Sequence, residues 1–263
     1  MMNLDLTGKR AVVCGSSQGI GLAIAKELSI LGASITMLAR DEKRLSLALK
    51  ELDNSKGQEH HQVVIDLAQP DEVRSVMKNY VQHFPKIHIL VNNSGGPKPG
   101  NILDIGADEF KEAFMQHLIS DHLLAKILVP KMIAEGYGRI INILSISVKE
   151  PIRGLGVSNS VRAAVANWSK TLSDEVGPYG ITVNNVLPGP TNTSRILTIL
   201  EAQAKRQNKD IETVKQEMIK EIPLKRFASA EEIAYAVAFL ASPAASYING
   251  INLPVDGGKL GCL

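Results

Sequence analysis

A short apolar run that ends in a glycine-spaced turn constrains this chain more than any other feature. Ala11-Val12-Val13-Cys14 leads directly into Gly15-Ser16-Ser17-Gln18-Gly19-Ile20-Gly21. A helical pattern then opens, with Ile20, Ala23, Ile24 and Leu28 on one face. Strand, tight turn and helix start in this order form a cradle for a dinucleotide pyrophosphate. Glycines let the backbone turn sharply and come close, and the free N–H groups at the helix start point at the anion. Glycine spacing alone is weak evidence, and the strand–turn–helix context is what makes it specific. The reading places Gly15, Ser17, Gln18, Gly19, Ile20 and Gly21 against a nucleotide.

Beyond the turn, apolar runs alternate with helix-period segments. Strands are expected at 34–39, 63–65, 87–91, 139–144, 181–187 and 251–254. Helices are expected at 42–53, 71–83, 107–135, 157–176 and 230–240. Parallel strands need long crossovers, so this alternation predicts a Rossmann-type, doubly wound parallel sheet in three α/β/α layers. The strands are continuously apolar, as strands covered on both faces are. One domain over 1–263 is expected, with no internal repeat or linker. Only 193–223 breaks the alternation: it is helical and densely charged, either a substrate lid or a solvated excursion.

Composition narrows the partners. The formal charge of +2, without blocks of like charge, gives no reason to expect nucleic acid or an anionic membrane. No run approaches the ~18 apolar residues of a membrane span, and no leader pattern precedes Gly15. A cytoplasmic protein is expected. Cys14 and Cys262 do not suggest a disulfide framework, and no metal is called for.

Four further segments carry a family resemblance. Asp66 with Leu67 follows the third apolar run, and Asn92-Asn93-Ser94-Gly95 follows the fourth. Pro188-Gly189 with Thr191 and Thr193 follows the sixth, and Val255-Asp256-Gly257-Gly258 closes the chain. Together with Gly15, Gly19 and Gly21 they resemble the short-chain dehydrogenase/reductase family, in its 3-oxoacyl-thioester reductase-like branch. The resemblance covers nearly the whole length. It implies adenosine contacts at Asp66, Leu67 and residues 92–95, and nicotinamide contacts at Pro188, Gly189, Thr191 and Thr193. Ala39 stands where NAD-type members carry Asp, and Arg40 follows. A guanidinium there accommodates a 2′-phosphate, so NADP(H) is expected over NAD(H), unless Arg40 simply pairs with Asp41 or Glu42.

The resemblance also implies a catalytic Ser, Tyr and Lys, with an Asn on the fourth helix. Ser145 keeps the Ser, but Ser158 stands at the Tyr position, Arg162 at the Lys position, where its charge can still hydrogen-bond the cofactor's ribose hydroxyls, and His117 at the Asn position. The flanks hold: Gly138-Arg139-Ile140-Ile141-Asn142 precedes Ser145, and Ala163-Ala164-Val165 follows Arg162. An aliphatic hydroxyl is a far poorer acid than a phenol of pKa ~10. Three readings stay open: an oxidoreductase for a small carbonyl or secondary-alcohol substrate, a nucleotide-binding homologue without turnover, or another activity on the same scaffold. In the first, the proton comes by another route, from His117 as general acid or from a water held by Ser145 and Ser158. Lys98, Lys149 and Arg153 would suit an anionic or phosphopantetheine-bearing substrate. A homotetramer or homodimer is expected through the helices at 107–135 and 157–176, the second carrying Ala163, Ala164 and Ala166 for close approach.

Overall fold

The computed structural model describes residues 2–262. Seven strands form one sheet: β1 Arg10–Cys14, β2 Ser34–Ala39, β3 His61–Val64, β4 Ile89–Asn92, β5 Gly138–Ile143, β6 Ile181–Pro188 and β7 Asn252–Val255. All pair in parallel, in the order β3-β2-β1-β4-β5-β6-β7. The chain leaves β1 toward one edge and returns beside it with β4. That reversal opens a crevice beyond the carboxyl ends of the strands, where ligands of open α/β sheets bind.

Both faces of the sheet are covered, which is why the central strands can be apolar throughout. On one face α1 (Gly19–Ile30) and α9 (Ala230–Ala241) bury Ile24, Leu28, Ile233 and Val237 against Val13, Ile35 and Ile141. On the other, α3 (Pro70–His83) and α5 (Ser120–Ala134) bury Val73, Met77, Leu124 and Leu128 against Val12, Leu38 and Ile140. Further along that side, α6 (Gly156–Val176) packs Val165 and Ala166 on Leu144, Ile146 and Leu187.

One set of polar residues crosses the sheet as a connected row. Asn92 Nδ2 donates to Asn142 Oδ1, Asn142 Nδ2 to Asn185 Oδ1 and Asn185 Nδ2 to Asn252 Oδ1, each at 2.8 Å. The four asparagines are register partners on β4, β5, β6 and β7.

Two expected helices differ from their pattern. α2 is Glu42–Leu49, capped by the Asp41 carboxylate, which accepts from Arg44 N at 3.0 Å. It stops short of 53 because the chain turns through Asn54–Gly57, where the Gly57 N–H donates to Asn54 O at 3.0 Å. The long helix expected at 107–135 is α4 (Ala107–Phe114) and α5, joined by a π-helical turn at Met115–Ile119. Ser120 Oγ donates to the Leu67 carbonyl there, which ties the widened turn to the loop after β3.

The 193–223 segment folds as α7 (Ser194–Gln207) and α8 (Ile211–Lys220), around Ile196, Leu200, Val214 and Phe227. Among the described residues no helix is long and apolar enough to cross a membrane, and no grouping of His, Cys, Asp and Glu could hold a metal ion. Cys14 is buried and Cys262 exposed, both free.

Candidate active site

A cavity of about 1000 Å³ opens along the carboxyl ends of the strands. Its floor is the turn after β1. Gly15 has φ 57°, and a Cβ there would lie 2.6 Å from the Asn93 carbonyl oxygen. A Cβ on Gly21 would run into the Gly15 carbonyl oxygen. Asn93 fixes the turn from the neighbouring loop, its Nδ2 donating to the carbonyls of Cys14 and Gly15, both at 3.2 Å. No side chain caps α1, so the N–H groups of its first turn remain available to a ligand. These features fit a pyrophosphate.

Most residues singled out from the sequence meet in this one space. Gly15, Ser17, Gln18, Gly19, Ile20, Arg40, Asp66, Leu67, Asn93, Ser94, Gly95, Pro188, Gly189, Thr191 and Thr193 line it, with Ser145, Ser158 and Arg162. Gly21, Asn92 and His117 do not. Gly21 acts behind the floor by letting the helix approach the turn. Asn92 is committed to the asparagine row. His117 is buried in the π turn. Lys98 and Lys149, expected near an anionic substrate, are also off the lining, whereas Arg153 is on it.

At the adenosine end, Asp41 does not occupy Arg40. Its carboxylate caps α2 and pairs with Arg44 Nε at 3.3 Å. Among the described residues no carboxylate lies within ion-pair distance of Arg40. Arg44 also lines the cavity, and its Nη1 donates to Gln18 Oε1 at 3.1 Å. Sequence reasoning missed Arg44, although it lies four positions beyond Arg40 in the first turn of the next helix.

At the opposite end, Ser145 leaves β5 and accepts from Ser147 N at 3.1 Å, which holds its hydroxyl at the cavity wall. The i, i+4 spacing puts Ser158 and Arg162 on one face of α6. Arg162 Nε donates to Ser158 Oγ at 3.3 Å and Nη1 to the Ile143 carbonyl at 2.9 Å. Burial, with a smaller push from Arg195, lowers the Arg162 pKa to about 10, and Asp121 opposes the shift. The guanidinium stays cationic near neutrality.

His117 Nδ1 bonds Ser94 Oγ at 2.7 Å, and its Nε2 has no partner. Burial, then Arg162 and Arg195, hold its pKa down to about 3. The ring is neutral at pH 7, so the general acid expected from an imidazole titrating near ~6.5 does not fit this environment.

Two further residues were invisible to pattern. Asp121 is buried in the first turn of α5, and burial drives its carboxyl pKa well up against the pull of Arg162. Arg195, at the start of α7, donates from Nη2 to the Pro97 carbonyl at 2.7 Å and lines the cavity.

Over residues 15–259 the chain matches the model of the enoyl-(acyl carrier protein) reductase family. It belongs to the short-chain dehydrogenase/reductase family. It is 33% identical over 255 residues to the 3-oxoacyl-[acyl-carrier-protein] reductase FabG of Pseudomonas aeruginosa, covering 97% of this chain and 98% of that one. The oxidoreductase YvrD of Bacillus subtilis is 31% identical over 261 residues, 98% of both chains. Among solved structures, the L-sorbose reductase of Gluconobacter frateurii, complexed with NADPH and L-sorbose, superposes with a TM-score of 0.92 at 35% identity, covering 100% of each chain. YwfH, an NADPH-dependent reductase involved in bacilysin biosynthesis, superposes at 0.91 with 28% identity, covering 97% of this chain and 99% of that one. This short-chain dehydrogenase/reductase is an oxidoreductase, and its fold is the one its glycine turn and strand–helix alternation imply.

Proposed function

We propose that the protein transfers a hydride between NADP(H) and a carbonyl or secondary-alcohol substrate, in the manner of the 3-oxoacyl-thioester reductases it resembles. One observation carries this reading. A single cavity runs from the uncapped start of α1, past Arg40, to Ser145, Ser158 and Arg162. The preference for NADP(H) rests on Arg40 and Arg44 at the adenosine end, where the adjacent acid, Asp41, is engaged by Arg44. The names of relatives that use NADPH agree with it.

In the reducing direction, carbonyl, NADPH and one proton give the alcohol and NADP+. Bound nicotinamide supplies the hydride. This chain's residues supply the charge for the oxygen. Ser145 is placed to donate to the carbonyl oxygen, and Arg162 polarises the Ser158 hydroxyl and stabilises negative charge as it develops. Ser158 is too short and too weak an acid to replace a phenol, so the proton comes from water admitted into the space the ring would fill. General acid–base catalysis typically contributes ~10²–10⁴-fold, so its loss slows turnover without forbidding it.

The test is calorimetric titration with NADPH and NADH, followed by NADPH oxidation over ketones, sugars, quinones and acyl thioesters. Tighter NADPH binding with consumption on at least one class is expected. Equal or tighter NADH binding overturns the cofactor assignment. A second reading, a nucleotide-binding protein without turnover, is favoured by one fact: no tyrosine lines the cavity. Tight NADPH binding without consumption on any class selects it.

We read α7 and α8 as the substrate-side wall, since Arg195, Ile196, Ile199, Gln203 and Met218 all line the cavity. The proposed assembly is a dimer or tetramer through α5 and α6, where Ile133 is exposed and His122 meets Trp168 edge-on at 6.4 Å. Light scattering that returns a monomer mass at micromolar concentration contradicts it.

A further inference from the structure

We propose that Arg162 and Arg195 form an oxyanion subsite on the substrate side of the cavity, and that the carbonyl substrate carries a free carboxylate. The inference rests on the reading of the site as a carbonyl oxidoreductase and narrows its substrate.

The two guanidiniums reach the cavity from different elements, α6 and α7, and both line it. Arg195 lies flat over Gly96, where a Cβ would sit 2.9 Å from Nη2 and 3.0 Å from Cζ and Nε. That close approach and the bond to the Pro97 carbonyl fix the fork in place while leaving other N–H groups undirected. Arg162 is fixed in the same way by Ser158 and the Ile143 carbonyl.

Neither cation has a carboxylate within ion-pair distance among the described residues. The nearest acid in effect is Asp121, whose burial favours the neutral carboxyl. Three glutamates line the cavity: Glu217 pairs with Lys209 and Glu221 with Lys259, each at 2.6 Å, and Glu150 makes no ion pair with either arginine. Close by is a neutral imidazole whose buried Nε2 has no partner. Like charges partly withdrawn from water, with no carboxylate in ion-pair distance, are unfavourable, and a bound anion relieves that cost. A carboxylate matches the planar fork. The bond from Arg162 to Ser158 places the subsite beside the hydroxyls assigned to the carbonyl oxygen, so charge and reacting carbon belong to one small molecule. Thioesters and esters lack the charge.

The competing source of negative charge is the cofactor's own phosphates, and the experiment separates the two. Short 2-oxo and 3-oxo acids and their methyl esters are titrated calorimetrically into the protein, free and saturated with NADP+. NADP+ affinity is measured separately, so failure of the cofactor reading shows itself independently. The acids are expected to bind ~10-fold or more tightly than their esters. Arg195→Met is expected to bring that ratio to within ~2-fold, and Arg195→Lys to retain part of it. Equal binding of acid and ester by the unaltered protein, with and without NADP+, overturns the subsite and needs no variant to fold. Arg195→Met weakening NADP+ while preserving the acid-to-ester ratio also overturns it, because the charge would then serve the cofactor.

Discussion

A hydroxymethyl group in place of a phenol at position 158 removes the usual titrating acid, and neither His117 nor Arg162 supplies a substitute near neutrality. His117 is held to about 3 and Arg162 to about 10. The kcat/KM for carbonyl reduction is therefore expected to be nearly flat from pH 5 to pH 9 (~pH values set by those two groups). A clear break between pH ~6 and ~8 in the profile would show that another group carries the proton. Arg162→Met is expected to lower kcat/KM by ~10²-fold or more, the scale of losing one charge-stabilising donor. Unchanged NADPH affinity by calorimetry would exclude weakened cofactor binding as its cause. Ser145, Ser158 and Arg162 were legible because their flanks and their spacing survive. Arg195 was not, since a half-buried guanidinium in a charged helix reads like a solvated one until the backbone folds it over Gly96. Asp121 was hidden for the opposite reason, as a single acid in a helix whose surroundings are otherwise apolar.

At the scale of elements, the asparagine row joins four strands through side chains: Asn92 donates, Asn142 and Asn185 each donate and accept, and Asn252 accepts. Asn142→Leu leaves the Asn92 amide and the Asn185 carbonyl unsatisfied within the sheet. A loss of about 1–3 kcal/mol in unfolding free energy is expected, read from denaturant titration. A change below about 0.5 kcal/mol would mean that water replaces the bonds. Gly21→Ala is expected to abolish measurable NADPH binding, because its methyl group meets the Gly15 carbonyl and must push the turn out of shape. Strand positions could be read from continuous apolar runs, and the helical character of the 193–223 segment from its period, though not its division into α7 and α8. The π turn could not. Its residues, Met115 to Ile119, keep a helical hydrophobic pattern, and only the packing of Ser120 on the Leu67 carbonyl reveals the wider coil. The early end of α2 was equally unreadable, since it depends on local turn bonds rather than on periodicity.

For the molecule as a whole, pH acts through buried histidines. Burial, with Lys9, depresses His88 to about 4 despite Glu135, and His117 lies lower still. His88 Nδ1 accepts from the Arg10 N–H at 3.0 Å, so its approach to Glu135 is a neutral hydrogen bond and not an ion pair. Both folded pKa values lie below the unfolded value of ~6.5. The stability from keeping these rings neutral is fully present above that pH. It is lost as pH falls toward 4, because the unfolded chain takes up protons that the folded one refuses. The melting temperature is expected to drop over that window, and His88→Gln to shrink the drop; an unchanged pH slope in that variant would remove His88 from the account. The row of asparagines has a consequence for biosynthesis. Its last member, Asn252, is translated 160 residues after Asn92, about three-fifths of the chain. Until it docks, the Asn185 amide has nothing to donate to in the sheet, so a ribosome-bound chain short of that residue holds an unfinished polar seam. Nascent chains arrested before it should stay protease-sensitive through β5 and β6, and chains arrested far enough beyond it for β7 to clear the exit tunnel should not.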